Sequence, residues 1–155
     1  MIILGIDPGS HNTGYAFLER TPTRVRVLEY GVSKPIRTDS VYHRLGHIVK
    51  DLEPLFEIYK PTILGMEKSF VAQNAQTALV LGQARGAVQM LGIRFGAEFV
   101  EYSPTEVKKK VTGSGSATKE RVALMMQALL GLKNLPEPLD ASDALAIAWV
   151  TLMNH

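Results

Sequence analysis

The segment Met1-Ile2-Ile3-Leu4-Gly5-Ile6-Asp7-Pro8-Gly9 decides the reading of this chain. Its apolar run is too short for a free-standing helix and is stopped by Pro8-Gly9, the pattern of a buried strand that ends in a turn. Asp7 is the last residue before the turn. Moving outward, Thr13 to Leu18 and Arg24 to Val32 alternate, with β-branched and aromatic residues, and a turn at Thr21-Pro22 joins them. The three runs read as an antiparallel meander. From Ser40 to Tyr59 the apolar positions Val41, Leu45, Ile48, Val49, Leu52, Leu55 and Phe56 recur every three or four residues. This is an amphipathic helix, and Pro54 is expected to interrupt or bend it.

Thr62-Ile63-Leu64-Gly65-Met66-Glu67 is a fourth strand, apolar through its length and hence central. Ala75 to Leu91 is a second helix and Glu98 to Tyr102 a fifth strand, followed by shorter helices over 104–110, 119–130 and 139–153. Strands first and helices interleaved later predict an α/β fold with a five-stranded mixed sheet flanked by helices. The 155 residues fit one domain, 1–155, with neither an internal repeat nor an inter-domain linker. The single small-residue tract, Thr112-Gly113-Ser114-Gly115-Ser116-Ala117-Thr118, has the length of a mobile surface loop.

Composition narrows the class. With 46% hydrophobic and 21% charged residues the chain fills a core. Zero cysteines exclude disulfides, thiolate zinc sites and thiol catalysis. The start carries no basic leader, and no apolar run approaches the roughly 20 residues a membrane helix needs. The expected location is the cytoplasm. A formal charge of +2 identifies no partner.

Four carboxylates carry the chemistry. Asp7 and Glu67 each close an apolar strand, where an unpaired charge is costly to bury. Lys68 is a poor partner for Glu67, because adjacent strand residues point to opposite faces. In Leu139-Asp140-Ala141-Ser142-Asp143-Ala144, the two aspartates stand three apart on one helix face. They sit at the tip of a segment (Ala144 to Trp149) so apolar that it must be buried. Helix-tip acids also suit the macrodipole, and an Asp before Pro-Gly also suits a turn. Taken together, oxygen-only ligands without a Cys or His cluster favour Mg²⁺ or Mn²⁺ over zinc. The chemistry they suit is two-metal phosphodiester hydrolysis.

The basic residues are concentrated. Between Ser103 and Arg121, five (Lys108, Lys109, Lys110, Lys119, Arg121) face two acids (Glu106, Glu120), a local charge of +3. This is either an electrostatic footprint for phosphates or a solvated helix face. The glycine-serine tract between the lysines could offer backbone N–H groups to an anion, with Ser116 or Thr118 capping the next helix. Phe70 is either a core residue or an exposed aromatic that stacks on an unpaired base. His43 and His47 share a helix face but lack a third ligand, and read as surface residues. Ala78, Gly82 and Gly86 form a small-residue row that faces either the domain's own sheet or a partner.

An ordered set of motifs goes further. Gly5-Ile6-Asp7-Pro8-Gly9-Ser10 with Thr13-Gly14, Met66-Glu67 with Phe70 and Asn74, Leu81-Gly82-Gln83-Ala84-Arg85-Gly86, Val107-Lys108 with Gly113 and Gly115-Ser116-Ala117, and Asp140-Ala141-Ser142-Asp143-Ala144-Leu145-Ala146 together resemble the RuvC Holliday-junction resolvases. The resemblance implies a ribonuclease H-like fold. It implies a Mg²⁺-dependent endonuclease, acting as a homodimer, that nicks four-way junction DNA symmetrically and works beside a branch-migration helicase. It also implies that Asp7, Glu67, Asp140 and Asp143 are the catalytic, metal-binding acids, that Phe70 sits at the junction centre, and that Lys108 and Lys119 contact DNA. Glycine-rich Gly-Ile-Asp-x-Gly loops also open actin-like ATPases, but those need two large domains. A non-catalytic junction-binding module, or a related nuclease for another branched or hybrid substrate, are the other readings.

Overall fold

The computed structural model describes residues 1–68 and 74–155. Five strands form one sheet: β1 (Ile2–Pro8), β2 (Thr13–Arg20), β3 (Val25–Ser33), β4 (Ile63–Glu67) and β5 (Glu98–Tyr102), in the order β3-β2-β1-β4-β5. The first three pair antiparallel, while β1–β4 and β4–β5 pair parallel. The sheet is mixed, as the meander followed by crossovers predicts. The helices are α1 (Val41–Tyr59), α2 (Ala75–Arg94), α3 (Pro104–Thr112), α4 (Lys119–Leu130) and α5 (Leu139–Asn154). None of the described helices is long and apolar enough to cross a membrane.

Strand alternation splits the core into two layers. Leu4, Ile6, Phe17, Leu64 and Met66 face one side, where Ile48, Leu52 and Phe56 of α1 and Ala84, Val88 and Leu91 of α2 cover them. Ile3, Ala16, Leu18 and Ile63 face the other, under α3, α4 and the apolar length of α5. Of the two effects expected at Pro54, interruption does not occur: α1 runs unbroken through it. Proline removes the bond to the carbonyl four residues back, but Leu52 and Phe56 on either side are fully buried, and that tertiary packing outweighs one lost hydrogen bond.

The contact that positions the site is the close approach of α5 to the sheet. Beta-1 and β2 present Gly5 and Gly14 to it. A Cβ on Gly5 would lie 2.3 Å from the Ala144 carbonyl oxygen, and one on Gly14 would lie 2.2 Å from that of Asp140. Only hydrogen in place of a side chain admits the helix backbone this close. Ala141, Ala144 and Ala148 make the helix equally thin and are fully buried.

Gly5→Ala should therefore lower unfolding free energy by roughly 1–3 kcal/mol, the usual cost of an overpacked core, with an unchanged m-value in urea denaturation. A variant as stable as the parent would mean that α5 can lift off the sheet at no cost.

Candidate active site

Asp7 and Glu67 lie at the C-terminal ends of the neighbouring parallel strands β1 and β4, on the face covered by α5. Beyond Asp7 the chain turns sharply: the Gly9 N–H donates to the Asn12 carbonyl at 2.9 Å, and the Arg44 guanidinium donates to the Ser10 carbonyl. Alpha-5 then brings Asp140 and Asp143 over the strand end. Carboxylate oxygens of Asp7, Asp140 and Asp143 all lie within 4.8 Å of one another. Glu67 stands outside that tightest group but lines the same cleft, of about 110 Å³, with Asp7, Asp143, Lys108 and Lys119. Val107 and Val122 give it an apolar floor.

Crowded, half-desolvated acids hold their protons. Burial, then the charges of Asp143 and Glu67, push the Asp7 carboxyl up to about 7. Burial also raises Glu67, with the Asp143 charge adding to it. Asp143 is raised by burial against the pull of Lys119. Three converging carboxylates, with Asp7 and Asp143 costly to ionise where they stand, fit a hard divalent cation, which would satisfy their lone pairs.

The structure places the predicted basic residues in different roles. Lys119 is not a free surface charge. It starts α4, behind the Thr118 cap (Thr118 Oγ1 accepts from the Arg121 N–H at 3.2 Å). Its Nζ reaches across to Asp143 Oδ2 at 2.9 Å and Asp140 Oδ1 at 3.6 Å. Burial pulls the Lys119 pKa down, but the hydrogen bond to Asp143 and the surrounding acids override this and raise it. Lys108 faces the cleft, where its charge partly opposes the rise at Glu67 and Asp143. Lys109 is exposed, and Lys110 is drawn aside to the Asn154 side chain. The Gly113 N–H closes the end of α3 on the Lys109 carbonyl, and those of Ser114 and Ala117 bond within the glycine-serine tract, so those three are not available to an anion. Phe70 lies outside the described residues. His43 bonds Ser40 and His47 pairs with Asp51 on the surface, as expected of residues without a third ligand.

One positioning residue escaped the sequence reading. The Arg85 side chain, 12% exposed, donates to the Glu67 backbone carbonyl and pairs with Glu101 of β5. It braces the strand end that carries Glu67. The sequence placed Arg85 in the motif Leu81-Gly82-Gln83-Ala84-Arg85-Gly86, between helix positions that cover the core, but gave it no role.

A mixed five-stranded sheet in this order, with acids converging at the ends of its central strands and at the tip of a packed helix, defines a nuclease of the ribonuclease H-like class. The chain belongs to the RuvC family: the family model described as "Crossover junction endodeoxyribonuclease RuvC" matches residues 3–151. Among relatives bearing that name, the protein of Chlorobaculum parvum is 43% identical over 152 residues, covering 98% of this chain and 81% of its own length. That of Pseudomonas fluorescens is 44% identical over 149 residues, 95% and 83%. The structure of Thermus thermophilus RuvC in complex with Holliday junction substrate superposes with a TM-score of 0.87 at 33% identity, over 96% of this chain and 90% of that one. The yeast mitochondrial Holliday junction resolvase shares the fold at 19% identity and a TM-score of 0.66, over 94% of this chain and 75% of that one.

Because the folded protein binds a proton at Asp7 more tightly than the unfolded chain does, this carboxyl's contribution to stability is present in acid and is lost as pH rises from 3.8 to about 7. In EDTA, Asp7→Asn should thus melt at a higher temperature than the parent at pH 8, with the gain fading toward pH 4, as followed by circular dichroism. A gain that is absent at pH 8 would show that the carboxylate is not under repulsion.

Proposed function

We propose that this protein is a divalent-metal-dependent endonuclease that resolves four-way DNA junctions by paired, symmetric nicks, as a homodimer. The observation that carries the reading is the convergence of Asp7, Asp140 and Asp143 within 4.8 Å, beside a cleft that Asp7 and Asp143 line with Glu67 and two lysines. Membership of the RuvC family and the likeness to a relative bound to a Holliday junction supply the substrate class.

The chain's own residues divide the work. Asp7, Glu67, Asp140 and Asp143 would hold Mg²⁺, or Mn²⁺ in its place, at two positions per site. Bound ions of this kind supply a polarised water nucleophile and neutralise charge on the phosphate and leaving oxygen. Arg85 fixes the backbone from which Glu67 projects. Lys108 and Lys119, at the same cleft, are placed to take phosphate oxygens, and each contact made would add to the salt dependence of binding. Phe70 is assigned to base stacking at the junction centre on the sequence alone. The partner that resemblance adds is a branch-migration helicase, and the compartment is the cytoplasm.

The dimer reading rests on α2. Among the described residues nothing lies within 4 Å of the space a Cβ would fill at Gly82 and Gly86, so the small-residue row faces away from the sheet. Beside it stand Leu79 at 64%, Met90 at 56% and Ile93 at 69% exposure. An apolar stripe flanking a smooth groove suits a self-complementary contact, and a two-fold junction needs two sites related by a two-fold axis.

Two outcomes check this. Asp7→Asn, Glu67→Gln and Asp143→Asn should each reduce Mg²⁺-dependent junction cleavage by at least about 100-fold while junction binding in EDTA persists. Full cleavage by Asp7→Asn would remove the site assignment. In sedimentation equilibrium the parent should show a mass near twice 17.0 kDa, and Leu79→Glu combined with Ile93→Glu should show the monomer mass. A dimer that survives both charges would place the interface elsewhere.

A further inference from the structure

We propose that Lys119 is a built-in counter-cation of the carboxylate cluster: its ammonium group occupies the acids in the metal-free protein and is exchanged out when a divalent ion enters, which frees it for DNA phosphate. The inference rests on the proposed metal-dependent nuclease reading and extends it to the order of events at that site.

Three observations carry it. The Lys119 ammonium group contacts Asp143 and Asp140, two of the three residues whose oxygens converge. Like-charged carboxylates at this separation need a cation, and among the described residues Lys119 is the one basic side chain that makes an ion pair with any of them. Its side chain is 53% exposed, so it is held at the tip and leaves without disturbing the core. The cleft it borders also holds Lys108, so a released Lys119 joins a second basic group at the mouth.

Exchange follows from charge and from sharing of atoms. A divalent ion brings twice the charge of the ammonium and takes oxygen ligands from the same aspartates, and both cations cannot use those lone pairs together. Entry of the metal therefore raises the number of basic groups available to DNA, and a phosphate that captures Lys119 leaves the aspartates open to metal. By linkage, each ligand raises the affinity for the other by the same factor. A lysine that served as fixed scaffolding would do the opposite: losing it would weaken metal binding.

The test is Mn²⁺ binding by isothermal titration calorimetry without DNA. Lys119→Met, close in length and without charge, should bind Mn²⁺ about fivefold or more tightly than the parent, whereas Lys119→Arg should not. Asp143→Asn serves as the reference for the site itself and should lose most of the Mn²⁺ binding. Equal or weaker binding by Lys119→Met, with Asp143→Asn still impaired, overturns the exchange and leaves the metal site standing. A parent that binds no Mn²⁺ overturns both readings. The unsubstituted protein gives an independent answer should Lys119→Met not fold. After reductive ¹³C-methylation, the Lys119 signal, assigned by its loss in Lys119→Arg, should move toward the position of a solvated lysine on addition of Mg²⁺. A signal that stays in place overturns the proposal.

Discussion

The close seating of α5 on the sheet is the constraint on which the rest of the structure depends. Gly5 and Gly14 remove the side chains that would hold the helix off, and the alanines of α5 complete the fit from above. Because the helix axis is fixed at this distance, the tip of α5 must overhang the end of β1. Asp140 and Asp143 therefore meet Asp7, although more than 130 residues separate them in the chain. A rise of a side chain's thickness between helix and sheet would pull the acids apart and dissolve the site.

That seating stores repulsion. Burial and mutual charge push the Asp7 carboxyl up to about 7 and raise Glu67 and Asp143 as well. A protein selected for stability alone would replace such a cluster with apolar residues, since removal of unpaired buried charge is favourable. Retaining the acids makes sense where an external cation completes them. The Lys119 ammonium tempers the repulsion from the start of a helix whose cap and preceding glycine-serine turns hold its backbone in place.

The two layers of the molecule have separate duties. The α5 side, with α3 and α4, builds the cleft and its lysines. The α1–α2 side seals the second core layer and leaves the outer face of α2 bare, with Leu79, Met90 and Ile93 in solvent. Arg85 links the two: it leaves α2, passes to the end of β4 and secures the Glu67 carbonyl. A surface on α2 and Glu67 at the end of β4 are thus connected by one largely buried guanidinium.

Much of the fold was legible in the chain because it is written in short-range patterns. Alternation marked β2 and β3, short apolar runs marked β1 and β4, and three-to-four-residue spacing marked α1, with ends displaced by a few residues, while the meander and the later interleaved helices implied a mixed sheet. The acids were legible for a similar reason: each interrupts or ends an apolar run, where a charge needs an explanation, and the three-residue spacing of Asp140 and Asp143 places them on one helix face. Their assembly was decided by tertiary structure. So were the continuity of α1 through Pro54, the outward direction of the Gly82–Gly86 row, the brace of Arg85 and the capture of Lys119 by the aspartates. Each of these depends on which atoms stand opposite one another after packing. Local sequence specifies a residue's element and its face, but the partner across a gap is set by how closely two elements can approach.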